Sequence, residues 1–420
     1  MPNLSINRTA RAVEPSLERT PLTAFAAAPA WGVQAGKPAF PPTRRCRSTR
    51  TPLAIRRKNA MKNVALKYVG ENGDEAEVIP SKFIPLTFAD LFPSNDLFQI
   101  QAKVEAGDAT INGEVIDKDS TITVPIKFNS EMSVYAIVID GWLPITFRNS
   151  KWLVPDRNLI SSIIQINSNN LNDKNKATKW WLDFIKESDI TINPMLYALE
   201  GNTRKKPSYK EFCTSFDKAV EKLSIYFPKG RIISYKSEMF YSAGYSILEE
   251  MADKQNDEIN FLLETAPLVL TPYSNRQIGK IQQEIDEIAI KYDIIGKTFL
   301  YFLVISCLYE RNDNKYFKAA RKVLKPTSRY TEVDAYNTIS DINALNIFIQ
   351  LWSIFKQPYP ICTRDEGLVA FWSGLNPIKI SSRNKKIDIE FTFNECLFPS
   401  LNTEQRHQLA DSIKEKIQSN

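Results

Sequence analysis

The chain has 420 residues, 43% of them hydrophobic and 24% charged, with a formal net charge of +6. That is enough for two or three domains of ordinary globular composition. One histidine, His407, and five scattered cysteines without a CxxC pair leave almost no material for Ser-His or Cys-His catalysis or for a zinc site, so carboxylates must do any chemistry. Unpaired cysteines of this kind also imply reduced thiols and a cytoplasmic location.

The positive charge is concentrated at the start. Residues 1–60 hold nine Arg, two Lys, two Glu and eight Pro, whereas the rest carries 43 basic and 46 acidic residues. Any nucleic-acid grip in the body of the chain is therefore a local patch. The first 60 residues have no amphipathic period, which predicts a disordered or non-native extension. Their Arg-rich, acid-poor make-up is also that of a transit peptide, and Met61, opening "MKNVALKYVG", reads as a natural start.

Residues 61–147 predict a small β-rich domain. "LFQIQAKVEAG", "ATINGEVI", "STITVPIKF" and "SVYAIVIDGW" are β-branched or alternating runs broken by Gly, Asp and Asn. The texture then changes to α/β over 148–376. "KWLVPDRNLISSIIQI" predicts strand, turn and helix, and "NKATKWWLDFIKES" an amphipathic helix. "DITINPMLYALEGN" predicts a helix stopped at Gly201-Asn202, and "PSYKEFCTSFDKAVEKL" another. Further helices are predicted over roughly 236–264, 276–291, 296–310 and 313–323, followed by the long "EVDAYNTISDINALNIFIQLW". The apolar run "TFLYFLVISCLY", residues 298–309, is too short to span a bilayer and predicts a buried helix; no membrane partner is expected. "YPICTRDEGLVAFW" closes the series as strand and helix. Residues 377–420 predict a last strand in "NKKIDIEFTF" and a polar helix.

Four acids stand at or near element ends. Asp156, in "WLVPDRNLISSI", follows a strand-like run and precedes a helix. It is placed for an N-cap, and equally for a ligand at the C-terminal end of an α/β strand. Asn158 either orients that carboxylate or serves the turn. Glu200 lies in the last turn of its helix, where the macrodipole disfavours a negative charge; it is either a solvated surface acid or the neighbour of a cation. Asp334 and Asp341 are one heptad apart and share a face that continues through Leu345, Phe348 and Trp352. Asp334 fits a helix cap. Asp341 is mid-helix, and an unpaired buried carboxylate is costly, so it calls for a salt bridge, a metal or water in a cleft. Asp365, after Thr363-Arg364, is again an N-cap or a ligand.

Taken in order, "PDRNLIS", "INPMLYALEGN", "SDINALNIF" and "ICTRDEGL" resemble the motif series of PIN-domain nucleases, over about residues 150–376. The resemblance implies an α/β fold with a central parallel sheet flanked by helices. Here it would contain a long helical insertion, because Glu200 and Asp341 are much further apart than in compact members. It also implies an acidic pocket that binds Mg²⁺ or Mn²⁺ and hydrolyses RNA or single-stranded nucleic acid. Asp156, Glu200, Asp341 and Asp365 would form the catalytic set, with Asp156, Asp341 and Asp365 on the metal. Asn158 and Thr363 would support them, and Asp334 competes with Asp341 for the third position. Such a nuclease would fit a toxin or defence effector with a neutralising protein partner. The alternative is a non-catalytic PIN-like regulatory or interaction protein. Beside Glu200, "GNTRKKPSYK" supplies Arg204, Lys205, Lys206 and Lys210 with Tyr209 for stacking, either as a nucleic-acid contact or as ordinary solvated surface. Residues 311–326 and 381–386 are further basic stretches of the same kind.

Overall fold

A computed structural model describes residues 6–7, 22–27, 66–69, 75–92, 97–111, 114–115, 121–127, 131–169, 171–201, 205–235, 237–310, 317–355, 359–383 and 386–419. The fold is α/β, and a six-stranded mixed sheet organises it. Its strands are β1 (Tyr135–Val138), β2 (Gly141–Pro144), β3 (Trp152–Pro155), β4 (Thr191–Ile192), β5 (Arg231–Ile232) and β6 (Ile361–Thr363), in the order β5-β4-β3-β6-β1-β2. β5, β4, β3 and β6 run parallel, while β1 lies antiparallel on β6 and β2 antiparallel on β1. β1 and β2 are buried throughout, as strands covered on both faces are.

This pairing departs from the expected layout. "SVYAIVIDGW" was expected with the β-rich N-terminal part, but its two strands extend the mixed sheet, with Ile137 opposite Ile361 and Tyr135 opposite Thr363. The central sheet is thus a parallel core with an antiparallel edge pair. β4 and β5 have only two residues each, too short to show a period in sequence.

Helices cover the sheet. After β3 come α1 (Arg157–Asn167) and α2 (Asp173–Asp183); after β4, α3 (Met195–Glu200) and α4 (Tyr209–Tyr226). Between β5 and β6 the chain makes the expected long helical insertion: α5 (Glu238–Thr265), α6 (Asn275–Lys291), α7 (Leu300–Tyr309), α8 (Ala319–Leu324) and α9 (Glu332–Phe355). Every residue of α7 is buried, as its apolar run predicts. No helix among the described residues is long and apolar enough to cross a membrane. α10 (Glu366–Leu375) follows β6 and is buried along its length after Glu366; α11 (Thr403–Ser419) is the C-terminal helix.

The order of the sheet fixes where a site can form. From β3 the chain crosses to β4 and β5 on one side, then returns through α5–α9 to β6 on the other. The topological switch point therefore lies between β3 and β6, where the strand ends diverge and leave a crevice.

The N-terminal strands form a separate antiparallel sheet. It contains Glu75–Phe83, Leu97–Ile111 and Thr121–Lys127, with Leu66–Val69 at one edge and Ile6–Asn7 at the other. Within the first 60 residues, Leu22–Ala27 pairs antiparallel with Lys386–Phe391, itself hairpinned to Pro377–Arg383. The residues just after the 75–83 strand reach the mixed sheet by a bridge between Leu86 and Trp142. Gly141 makes this approach possible. Its φ is +139°, and a Cβ there would sit 2.1 Å from the Leu86 carbonyl oxygen. Gly141→Ala should therefore cost at least about 1–3 kcal/mol and lower the melting temperature by several degrees. An unchanged melting temperature would mean that the bridge contributes nothing to the fold.

Candidate active site

Asp156 stands where β3 ends. Its backbone N–H continues the β3–β6 pairing by donating to the Cys362 carbonyl at 2.8 Å. Its side chain caps α1, with Oδ1 accepting from Leu159 N–H at 2.7 Å. The other oxygen, Oδ2, accepts from the Thr363 hydroxyl at 2.6 Å. The same Thr363 oxygen accepts from the backbone N–H of Asp365 at 2.8 Å, and Asp365 Oδ1 caps α10 by accepting from Leu368 N–H at 2.9 Å. One buried hydroxyl thus ties together the two acids at the ends of adjacent parallel strands. Both are N-caps, as their positions predict, and the cap geometry is what places them at the crevice.

Glu200 and Asp341 arrive from helices. α3 is short and ends at Gly201, whose φ of +68° turns the chain away while a Cβ would press on Pro207 at 3.2 Å. The end of α3 is held to α9 by the Tyr336 hydroxyl, which donates to the Glu200 carbonyl at 3.1 Å. Asp341 is one turn and a half further along α9. Asp156, Glu200 and Asp341 line one pocket together with Asn158, Ser340 and an apolar wall from α3, α5 and α9; the cavity measures about 50 Å³. Asp365 lines an adjoining, more open cleft of about 540 Å³, and Asn158, whose side chain is exposed, borders both.

Asp334 takes no part in this pocket. Its Oδ2 accepts from Thr331 N–H at 3.0 Å and from the Thr331 hydroxyl at 2.7 Å, and its own N–H donates back to that hydroxyl at 3.3 Å, a reciprocal cap of α9. Of the basic stretch after Glu200, Arg204 lies outside the described residues. Lys205 and Lys210 are exposed. Lys206 sits over the Tyr245 ring at 5.8 Å, and Tyr209 meets Tyr245 edge-on at 5.2 Å while its hydroxyl donates to Glu238. The stretch at 311–316 lies outside the described residues, and Ser381–Arg383 belongs to the C-terminal hairpin.

The acids act on one another. Burial raises the Asp156 carboxyl to about 6 even though Thr363 and Leu159 hydrogen-bond its charged form. Burial, then the charge of Asp156, raises Glu200 to about 7 against the pull of Arg157. Asp341 is pushed well above the usual carboxylate range, first by burial, then by the charges of Asp365 and Glu200; Lys325 opposes this. No protein donor hydrogen-bonds the Glu200 or Asp341 carboxylate among the described residues.

These donors are all oxygens, which suits a hard cation such as Mg²⁺ or Mn²⁺ in type. In spacing the set is not closed. Among the described residues, no three His, Cys, Asp or Glu side chains are gathered closely enough to hold a metal ion in this arrangement.

Several residues of the site drew no attention in sequence. Tyr336 and Ser340, one helical turn apart, precede Asp341 on α9 and line the pocket with it. Arg157 stacks 4.9 Å from the centre of the Tyr197 ring and donates to the Tyr197 carbonyl at 3.3 Å, so it is fixed beside Glu200. Nothing in the pattern marks these residues without the fold. No family model matches the chain, and comparison with curated proteins and with solved structures finds no match.

The raised carboxyls carry a sign for stability. A folded-state pKa above the unfolded one contributes stability at low pH that is lost as pH rises through the folded value. Folding stability should thus fall as pH rises from about 5 to about 8, and Asp341→Asn should lessen that fall. Denaturant melts at the two pH values measure it. Thr363→Val strands Asp156 Oδ2 and should cost about 1–3 kcal/mol, with Thr363→Ser recovering most of it.

Proposed function

We propose that the chain is a metal-dependent nuclease that hydrolyses phosphodiester bonds in RNA or single-stranded nucleic acid, with a PIN-like α/β core. The observation that carries this reading is the placement of Asp156. It is a buried carboxylate at the switch point of a parallel sheet, hydrogen-bonded by Thr363 and sharing its pocket with Glu200 and Asp341, with Asp365 tied to the same hydroxyl. A purely structural cluster would be expected to neutralise its acids with cations. Here two of them lack a protein donor, and the nearby Lys325 does not offset their mutual repulsion.

Asp156, Asp341 and Asp365 would hold Mg²⁺ or Mn²⁺. A bound ion of this kind neutralises phosphate charge and lowers the pKa of coordinated water. The remaining work falls to the chain. The Thr363 hydroxyl and the α1 cap hold the Asp156 carboxylate in one orientation. Glu200, with its carboxyl raised to about 7, is suited to take the proton from the attacking water at its carboxylate oxygen near neutral pH. Leu196, Leu199, Leu248 and Met251 form the apolar wall that limits bulk water in the pocket.

One observation favours a second reading, a non-catalytic interaction protein: no three carboxylates stand at metal-binding spacing among the described residues. Manganese separates the two. For a nuclease, Mn²⁺ at millimolar concentration should raise the melting temperature of the wild type and support cleavage of single-stranded RNA. Asp156→Asn and Asp341→Asn should abolish both effects. Asp334→Asn should keep both and cost about 1 kcal/mol as a cap change. A wild-type chain that neither responds to Mn²⁺ nor cuts would leave the interaction protein as the reading.

A further inference from the structure

The acid pocket is too small for a nucleotide. A cavity of about 50 Å³ has room for little more than a water or two. α3, α5 and α9 contribute its wall. The adjoining cleft is about ten times larger, some 540 Å³, and its border is shared. Asn158 lines both spaces, and Asp365 stands in the cleft while its charge is felt at Asp341 and Asp156.

The cleft floor is built around a fixed cation. Arg364, between Thr363 and Asp365, directs Nη1 to the Ser162 hydroxyl and lies 3.5 Å from Asn175 Oδ1. Ser162 and Asn175 are 3% and 1% exposed. They are held in turn: Ser162 Oγ donates to the Asn158 carbonyl at 2.9 Å, and Asn175 Nδ2 donates to Gln165 Oε1 at 2.9 Å. The hydrogen-bond partners of the guanidinium are thus a hydroxyl and an amide oxygen, with the Asp156 carboxylate acting on its charge from behind. Lys174 lies in the same cleft. Of its three acids, Glu366 is paired with Lys322 at 3.0 Å, Asp365 belongs to the acidic set, and Glu131 is exposed at the border of the cleft.

We propose that this cleft, rather than the basic stretch after Glu200, holds the nucleic-acid strand, with Arg364 and Lys174 on the phosphates beside the scissile one. The proposal rests on the nuclease reading and adds the path of the substrate. A single strand laid along α1 and α2 passes Arg364 and presents one phosphate at Asn158, at the mouth of the acid pocket. A planar guanidinium held by buried polar partners is preorganised for such a contact. The shape also selects against a duplex, because the acids lie recessed behind the cleft.

The probe is a fluorescein-labelled single-stranded RNA, its binding to the full chain followed by anisotropy over a range of salt, with Ca²⁺ present. Lys174→Glu and Arg364→Lys are expected to weaken binding by about tenfold and severalfold. For Lys174→Glu the slope of log affinity against log salt should fall by about 0.7 or more, as when a phosphate contact is lost. Lys205→Glu and Lys210→Glu together should change affinity less than about twofold. Lys174 is exposed, so its variant keeps the test informative if an Arg364 variant folds poorly. Wild-type binding and cleavage that are insensitive to the cleft variants but lost in the Lys205/Lys210 variant would overturn the cleft while leaving the nuclease standing. Failure of the wild type both to bind and to cleave would overturn both.

Discussion

A single hydroxyl joins the two halves of the candidate site. Thr363 donates to Asp156 on the neighbouring parallel strand and accepts from the backbone of Asp365 two residues on. The bond can form only because β3 and β6 are adjacent, although some 200 residues separate them in the chain. That adjacency follows from the return of the chain through α5–α9 to the far side of β3. The helical insertion is therefore what brings the second half of the sheet home, and two of its members, α5 and α9, also line the acid pocket.

The site concentrates like charge. Asp156, Glu200 and Asp341 share a pocket, and each is raised by burial and by a neighbouring carboxylate. Such an arrangement works against stability at neutral pH and persists only if the surrounding structure over-determines it. The constraints are visible: two N-caps, the Thr363 hydroxyl, and the Tyr336 bond that fastens the end of α3 to α9. Carboxyls raised in this way in a crevice are the physical ground on which the cluster is a candidate site.

Much of this was legible in sequence because helix starts are chemically marked. Asp156 and Asp365 were readable as caps or as ligands; the structure shows both as caps, and the caps fix where the carboxylates stand. The heptad between Asp334 and Asp341 left the third acid open; the Thr331 cap claims Asp334, and Asp341 alone reaches the pocket. The buried α7 and the long α9 followed from composition and period. Other features had no local signal. β4 and β5 are too short to show a period, and the pairing of β1 with β6 is a long-range contact that alternation cannot address. Arg364 carries no local signal beside Asp365. Its hydrogen-bond partners, Ser162 and Asn175, come from α1 and α2, and only the fold brings them beneath it.

The central claim is that the carboxylates at the β3–β6 switch point form a cation site. Crystals grown or soaked with Mn²⁺ and measured at the manganese absorption edge test it most directly. The account expects an anomalous peak within about 2.5 Å of carboxylate oxygens from Asp156 and at least one of Asp341 and Asp365, with the capped acids held in place and the uncapped Asp341 side chain rotating to meet the ion. Ordered carboxylates with no anomalous peak at saturating Mn²⁺, or a peak coordinated elsewhere in the chain, would contradict it.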